Sequence, residues 1–243
     1  MYLCCEFSRL QMKPLVQSRV PYAMSRLFAP NHVIRPFFGV AALFAMTVLA
    51  GAQDKGRETR NLLIFGDSLT AGFGVDYEQA YPSLVQGLID QDGLGWRVIP
   101  SGVSGETSAG GLRRVSWAMR MPVDVFVLAL GGNDGLRGID LENTRSNLIQ
   151  IASKVREKNP NARIVIAGMQ MPPNLGAHYT EAFAALYPSV AEELDAFLIP
   201  FLLEGVGGMP EYNLRDGIHP NPEGHKRVAA HVYGLLKPML ESP

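Results

Sequence analysis

Cysteine is nearly absent from this 243-residue chain: Cys4 and Cys5 are the two it has, both within the first five positions. The rest of the molecule has no disulfide to rely on, and a chain of this length needs none if its apolar core is adequate. An excess of positive charge is missing too, with 22 Lys and Arg against 23 Asp and Glu. No clustered basic stretch stands out, so nothing suggests a nucleic-acid footprint. Long apolar runs are also lacking. The uncharged stretch from Phe37 to Ala50, "FFGVAALFAMTVLA", is shorter than the roughly 18 to 20 residues that a membrane-spanning helix needs. No internal repeat, low-complexity tract or interdomain linker is visible. The glycine-rich "GVSGETSAGG" has no Gly-Lys-Ser/Thr after it, which excludes a Walker phosphate loop.

The short apolar run carries a meaning of its own. Arg26 and Arg35 precede it, and Ala50-Gly51-Ala52 follows in the small-x-small form that signal peptidase cuts, the pattern of a secretory signal. Residues 1–52 are therefore expected to be a signal peptide with a spurious N-terminal extension, since a start at Met24 would give an ordinary basic leader. Cleavage near Ala52/Gln53 would leave one domain over 53–243, periplasmic or secreted. No cysteine follows the run where a lipid would be attached, so no stable membrane anchor is expected after cleavage. The cut removes five basic residues and one acidic one, leaving a net charge of −5.

In the remaining chain, short apolar runs alternate with helical periodicity. "LLIF" (62–65), "RVI" (97–99), "VFVLAL" (125–130), "IVIA" (164–167) and "FLI" (197–199) are continuous rather than alternating, as strands covered on both faces should be. Helical stripes run through Tyr81, Leu84, Val85 and Leu88, and through Leu141, Leu148, Ala152 and Val155. A third follows Phe183, Leu186, Tyr187 and Val190, with a kink expected at Pro188; a fourth follows Val228, Val232, Leu235, Leu236 and Met239. Strands alternating with helices predict right-handed crossovers and a mostly parallel sheet between helical layers. Ligands of such sheets sit beyond the carboxyl ends of the strands.

Three of the five strands end in glycine-rich polar segments: Gly66-Asp67-Ser68, Ser101 to Thr107, and Gly131-Gly132-Asn133-Asp134. A sharp strand-to-helix turn exposes a serine hydroxyl beside unpaired backbone N–H groups, the geometry of a nucleophile. Each segment taken singly is equally a plain turn, with Gly at positive φ and Ser or Asp as a helix cap. Near the C-terminus, "RDGIHPNPEGH" sets Asp216 and His219 three residues apart. A serine needs an imidazole to take its proton, and the imidazole needs a carboxylate to fix its tautomer. This pair can supply both from one loop, although an Asx turn beside a surface histidine has the same sequence.

The blocks GDSL (66–69), SGET around Gly105, GGND (131–134) and DGIHP (216–220), in that order, resemble the GDSL family of SGNH hydrolases. They are most similar to its bacterial periplasmic thioesterase I, lysophospholipase and arylesterase group. The resemblance extends from about Asn61 to Leu240. It implies a flavodoxin-like three-layer α/β/α sandwich with a five-stranded parallel sheet. It further implies Ser68 as nucleophile, His219 as general base and Asp216 as its orienting carboxylate. The oxyanion would be held by the backbone N–H groups of Ser68 and Gly105 and by the side-chain amide of Asn133. A small acyl ester, thioester or lysophospholipid would be the substrate, with no metal or other cofactor, and the enzyme would act as a monomer. A carbohydrate deacetylase or acyltransferase on the same scaffold, or a catalytically idle binding protein, stays open.

Neighbouring residues are assigned by the same reasoning. Asp67 orders its loop rather than serving as the triad acid, and Asp134 and Ser104 support their loops. His225 and His231, six apart on the last helix, face different ways, which argues against chelation. Ser68 lacks a Gly-x-Ser-x-Gly frame and lies near the start of the domain, against an α/β-hydrolase fold. "MPPNLGAHYT" (171–180) follows the fourth strand and is expected to be a loop at the cleft. Met171, Pro173, Leu175 and His178 are its candidate substrate contacts, and Leu175→Asp is expected to weaken long-chain esters more than acetates.

Overall fold

In a computed structural model of the chain, residues 59–242 are described. The apolar run at 37–50 and the expected cleavage site near Ala52/Gln53 lie outside them. Among the described residues, five strands form one sheet: β1 (Arg60–Gly66), β2 (Trp96–Gly102), β3 (Val125–Ala129), β4 (Arg163–Ala167) and β5 (Phe197–Ile199). All pairings are parallel and the order is β2-β1-β3-β4-β5. β1 and β3 occupy the middle, and Leu62 through Phe65 are fully buried, as are Val125 and Phe126. Continuous apolar runs are what such doubly covered strands require. β2 and β5 lie at the edges and are wetter: Arg97 of β2 and Phe197 of β5 are exposed.

The helices are α1 (Ser68–Ala71), α2 (Tyr81–Gln91), α3 (Ser108–Ala118), α4 (Gly132–Leu136), α5 (Leu141–Lys158), α6 (Ala177–Glu193) and α7 (Pro222–Glu241). The chain leaves β1 toward β2 and then returns across β1 to β3, β4 and β5. Right-handed crossovers in opposite directions place the intervening helices on opposite faces. α2 accordingly packs with α7, while α3, α5 and α6 pack in series against one another, giving three layers. The fold is thus the expected α/β/α sandwich. α6 runs unbroken through Pro188.

The order reverses between β1 and β3, so their carboxyl ends diverge into loops that leave a crevice. Besides the one-turn α1, two helices there had no counterpart in the periodicity. α3 begins at Ser108, its first turn capped by Thr107 Oγ1, which accepts from Gly110 N at 3.3 Å. α4 is a five-residue segment inside the GGND block. The 171–180 segment also differs from a simple loop, because a 3₁₀ turn spans Pro173–Leu175 and α6 already begins at Ala177.

Candidate active site

The serine that ends the first strand is held by close backbone approach. β1 stops at Gly66, Asp67 caps α1 by accepting from Leu69 N at 3.1 Å, and Ser68 opens the helix. α1 lies so tightly between the ends of β1 and β2 that side chains are excluded there. A Cβ on Gly66 would sit 2.1 Å from Thr70 Oγ1, and one on Gly102 would sit 2.3 Å from Ala71 N. These two glycines are therefore a packing requirement of the nucleophile's turn.

His219 reaches the same point from 151 residues away, its Nε2 lying 2.9 Å from Ser68 Oγ. On the other side of the ring, His219 Nδ1 is 2.8 Å from Asp216 Oδ2. A carboxylate can only accept, so Nδ1 carries the proton and Nε2 presents its lone pair to the hydroxyl. Asp216 is fixed by its own turn. Its Oδ1 accepts from Ile218 N at 2.9 Å and His219 N at 3.0 Å, and Gly217 makes the bend at φ +70°. Partial burial pulls the Asp216 carboxyl upward, but the two backbone N–H groups and the His219 ring outweigh it and hold it below its ordinary value. The ring of Phe73 lies 4.5 Å from the imidazole, centroid to centroid, and narrows its access to water.

The second and third loops are tied to each other. Asn133 Nδ2 donates to Asp67 Oδ2 at 3.2 Å. Gly105 occupies the left-handed region at φ +73°, and its carbonyl accepts from Arg137 Nη2 at 2.9 Å. Asp134, fully buried, accepts from Ser108 N at 2.8 Å and Ser108 Oγ at 2.5 Å, which fastens α4 to the start of α3. Arg114 binds Glu106 through Nε at 3.0 Å and Ser101 Oγ through Nη1 at 2.7 Å, with its guanidinium 4.1 Å from the Phe65 ring centroid. Asp134 was legible as a support residue within its block. Arg114 and Arg137 were not, because nothing in the sequence pairs them with the SGET loop.

Ser68, Asn133 and His219 form the polar end of a cleft of about 510 Å³, whose walls include Met169, Met171, Pro173, Phe201 and Leu203. Leu175 and His178 do not line it. Leu175 points outward at 42 % exposure, and His178 is exposed in the first turn of α6. Leu175 ends the 3₁₀ turn that Pro173 begins, and His178 follows Gly176 into α6. Ser104 is exposed at the loop tip. His225 is buried, its Nδ1 accepting from Tyr81 N at 3.2 Å, and desolvation lowers its pKa to about 4. His231 Nε2 contacts the Phe201 carbonyl at 3.0 Å. Among the described residues no group of three or more His, Cys, Asp or Glu is arranged to hold a metal, and no helix is long and apolar enough to cross a membrane.

Residues 64–227 match the model of the GDSL-like Lipase/Acylhydrolase family. The chain is 40 % identical over 204 residues to the esterase TesA of Pseudomonas aeruginosa, covering 83 % of this chain and 96 % of that protein. It is 36 % identical over 211 residues to the thioesterase 1/protease 1/lysophospholipase L1 of Escherichia coli K12, covering 86 % and 96 %. A crystal structure of TesA superposes with a TM-score of 0.71 at 39 % identity, covering 74 % of this chain and 99 % of that one. A relay from serine through histidine to aspartate at the switch point of this sheet agrees with those likenesses, and the chain belongs to the GDSL-like lipase/acylhydrolase family.

Proposed function

We propose that the protein is a serine esterase that cleaves acyl esters and thioesters through an acyl-enzyme on Ser68. The observation that carries this reading is the continuous relay of 2.9 Å and 2.8 Å contacts from Ser68 through His219 to Asp216, opening on an apolar cleft. Ser68 Oγ attacks the acyl carbonyl as His219 Nε2 takes its proton, and the carbonyl oxygen becomes an oxyanion. The N–H groups of Ser68 and Gly105 and the amide of Asn133 receive that charge, each such donor contributing about 10² to 10³ in rate. Collapse expels the alcohol or thiol with the proton from His219. Water, deprotonated by the same ring, then releases the acid and restores Ser68. Met171 and Pro173 offer apolar contact to the acyl chain, whose buried methylenes are worth about 0.8 kcal/mol each.

The same reading includes export. Residues 1–52 act as a cleaved signal, and 53–243 work outside the cytoplasm as a monomeric hydrolase domain without a membrane anchor. The test of the function is labelling by a fluorophosphonate together with hydrolysis of nitrophenyl esters. Wild type is labelled on Ser68, and Ser68→Ala loses both labelling and turnover while its stability stays within about 1 kcal/mol. Folded wild-type protein that resists labelling would instead identify an idle binding protein, and Ser68→Ala retaining most of its turnover would remove Ser68 as nucleophile.

A further inference from the structure

The proposed mechanism employs Ser68, His219, Asp216 and three oxyanion donors, and it leaves the residue before the nucleophile without a task. Asp67 is only 4 % exposed, and a carboxylate withdrawn from water is costly unless its oxygens are paired. Oδ1 is occupied by the cap of α1 at Leu69 N, a role that Asn or Ser fills as well as Asp does. Capping therefore does not explain a buried acid.

The other oxygen does. Oδ2 accepts from Asn133 Nδ2 at 3.2 Å, and an Asn amide has two N–H groups on that nitrogen. One is committed to Asp67, which leaves the other free to point elsewhere. The terminal torsion of Asn is soft and nearly two-fold, so an unrestrained amide presents either nitrogen or oxygen at little cost. A carboxylate accepts only. Turning the amide over would set Asn133 Oδ1 against Asp67 Oδ2, two acceptors without a proton between them.

We infer that Asp67 is a positioning residue of the oxyanion hole, its carboxylate holding the Asn133 amide with nitrogen, not oxygen, toward the reacting carbonyl. The inference rests on the proposed function, in which Asn133 is an oxyanion donor. Asp67 also titrates in a useful range. Burial raises its pKa to about 6, opposed by the Leu69 N–H, the Asn133 amide and the charge of His219. Tyr81 from α2 and Tyr187 from α6 are further titratable groups within its field. Once protonated, Asp67 can donate as well as accept, and the restraint on the amide is lost. Acid then removes the lock at Asp67.

A double-mutant cycle on kcat and KM tests this, using Asp67→Asn, Asn133→Ala and the pair. Asn at position 67 keeps the α1 cap but turns its own NH₂ toward the Asn133 NH₂, donor against donor. Asn133→Ala is expected to lower kcat about 10²- to 10³-fold. Asp67→Asn should lower kcat at least about tenfold with KM within about threefold, the pattern of an interaction made in the transition state. The double variant should be no worse than Asn133→Ala within about twofold, because Asp67 has nothing left to hold. Below about pH 6, wild-type kcat/KM should fall more steeply than that of Asp67→Asn, which lacks the Asp67 titration; equal profiles would overturn the inference. Losses that multiply in the double variant would overturn the inference while leaving the esterase reading intact. Wild-type kcat in Asn133→Ala would remove Asn133 as an oxyanion donor and overturn the inference with it, while the esterase reading stands or falls on Ser68. Asp67→Ser, which caps α1 but is too short to reach Asn133, gives the same comparison if the Asn variant does not fold.

Discussion

Asp67 and Asp216 are two carboxylates near one imidazole, and their surroundings drive them apart. Asp216 is partly exposed and receives three donors, which hold it ionised. Asp67 is buried and rises from 3.8 to about 6. The folded state therefore binds the Asp67 proton more tightly than the unfolded chain does, and native stability falls as pH rises between those two values. The shift corresponds to about 3 kcal/mol. Asp67→Asn removes the titration, so its stability relative to wild type should rise by about that amount between pH 4 and pH 7, as measured by urea unfolding at each pH. Parallel stability curves for the two proteins would show that burial does not burden Asp67. That a buried acid next to the nucleophile is retained despite this cost fits a role in the site.

Secondary-structure elements divide the 171–180 segment into two parts with different consequences. The turn after β4 presents Met171 and Pro173 to the cleft, whereas Leu175, which ends that 3₁₀ turn, and His178, in the first turn of α6, lie outside its lining. Leu175→Asp is therefore expected to leave kcat/KM for both long-chain and acetate esters within about twofold, in keeping with a substitution on an exposed surface. Met171→Ala should reduce the preference for long chains over acetate by several-fold, at roughly 0.8 kcal/mol for each methylene that loses contact. A panel of nitrophenyl esters of increasing length reads both, and selective loss of long-chain activity in Leu175→Asp would return that side chain to the substrate site. α3 shows why helices at this edge escaped the periodicity. Its first turns read "SAGG", a turn-like composition, yet Gly111 is there because a Cβ would lie 2.3 Å from Leu130 Cδ1. Packing against Leu130, the residue after β3, and Phe65 of β1 selected glycine inside a helix, against its intrinsic propensity.

For the molecule as a whole, the proposed export predicts a particular mature form. Mass spectrometry of the exported protein should find an N-terminus near Gln53, and size-exclusion chromatography a single monomeric species; an intact N-terminus would remove the cleavage. The sequence by itself determined the sandwich and its strand sequence, because central parallel strands must be apolar throughout and their runs stand out between polar turns. It placed Asp216 and His219 within one short turn as well, with the alternative of an Asx turn beside a surface histidine left open, because residues three apart meet through local structure. Partners far apart in the chain were decided by the tertiary structure alone. Ser68 and His219 are 151 residues apart, Asp67 and Asn133 are 66 apart, and Arg137 and Gly105 are 32 apart. Hydrogen bonds depend on direction and on a few tenths of an ångström, and those are set only when β1 and β3 lie side by side and their loops meet. The same assembly turned Leu175 outward and buried Asp67, because which face of a turn meets the core depends on the helix that follows it.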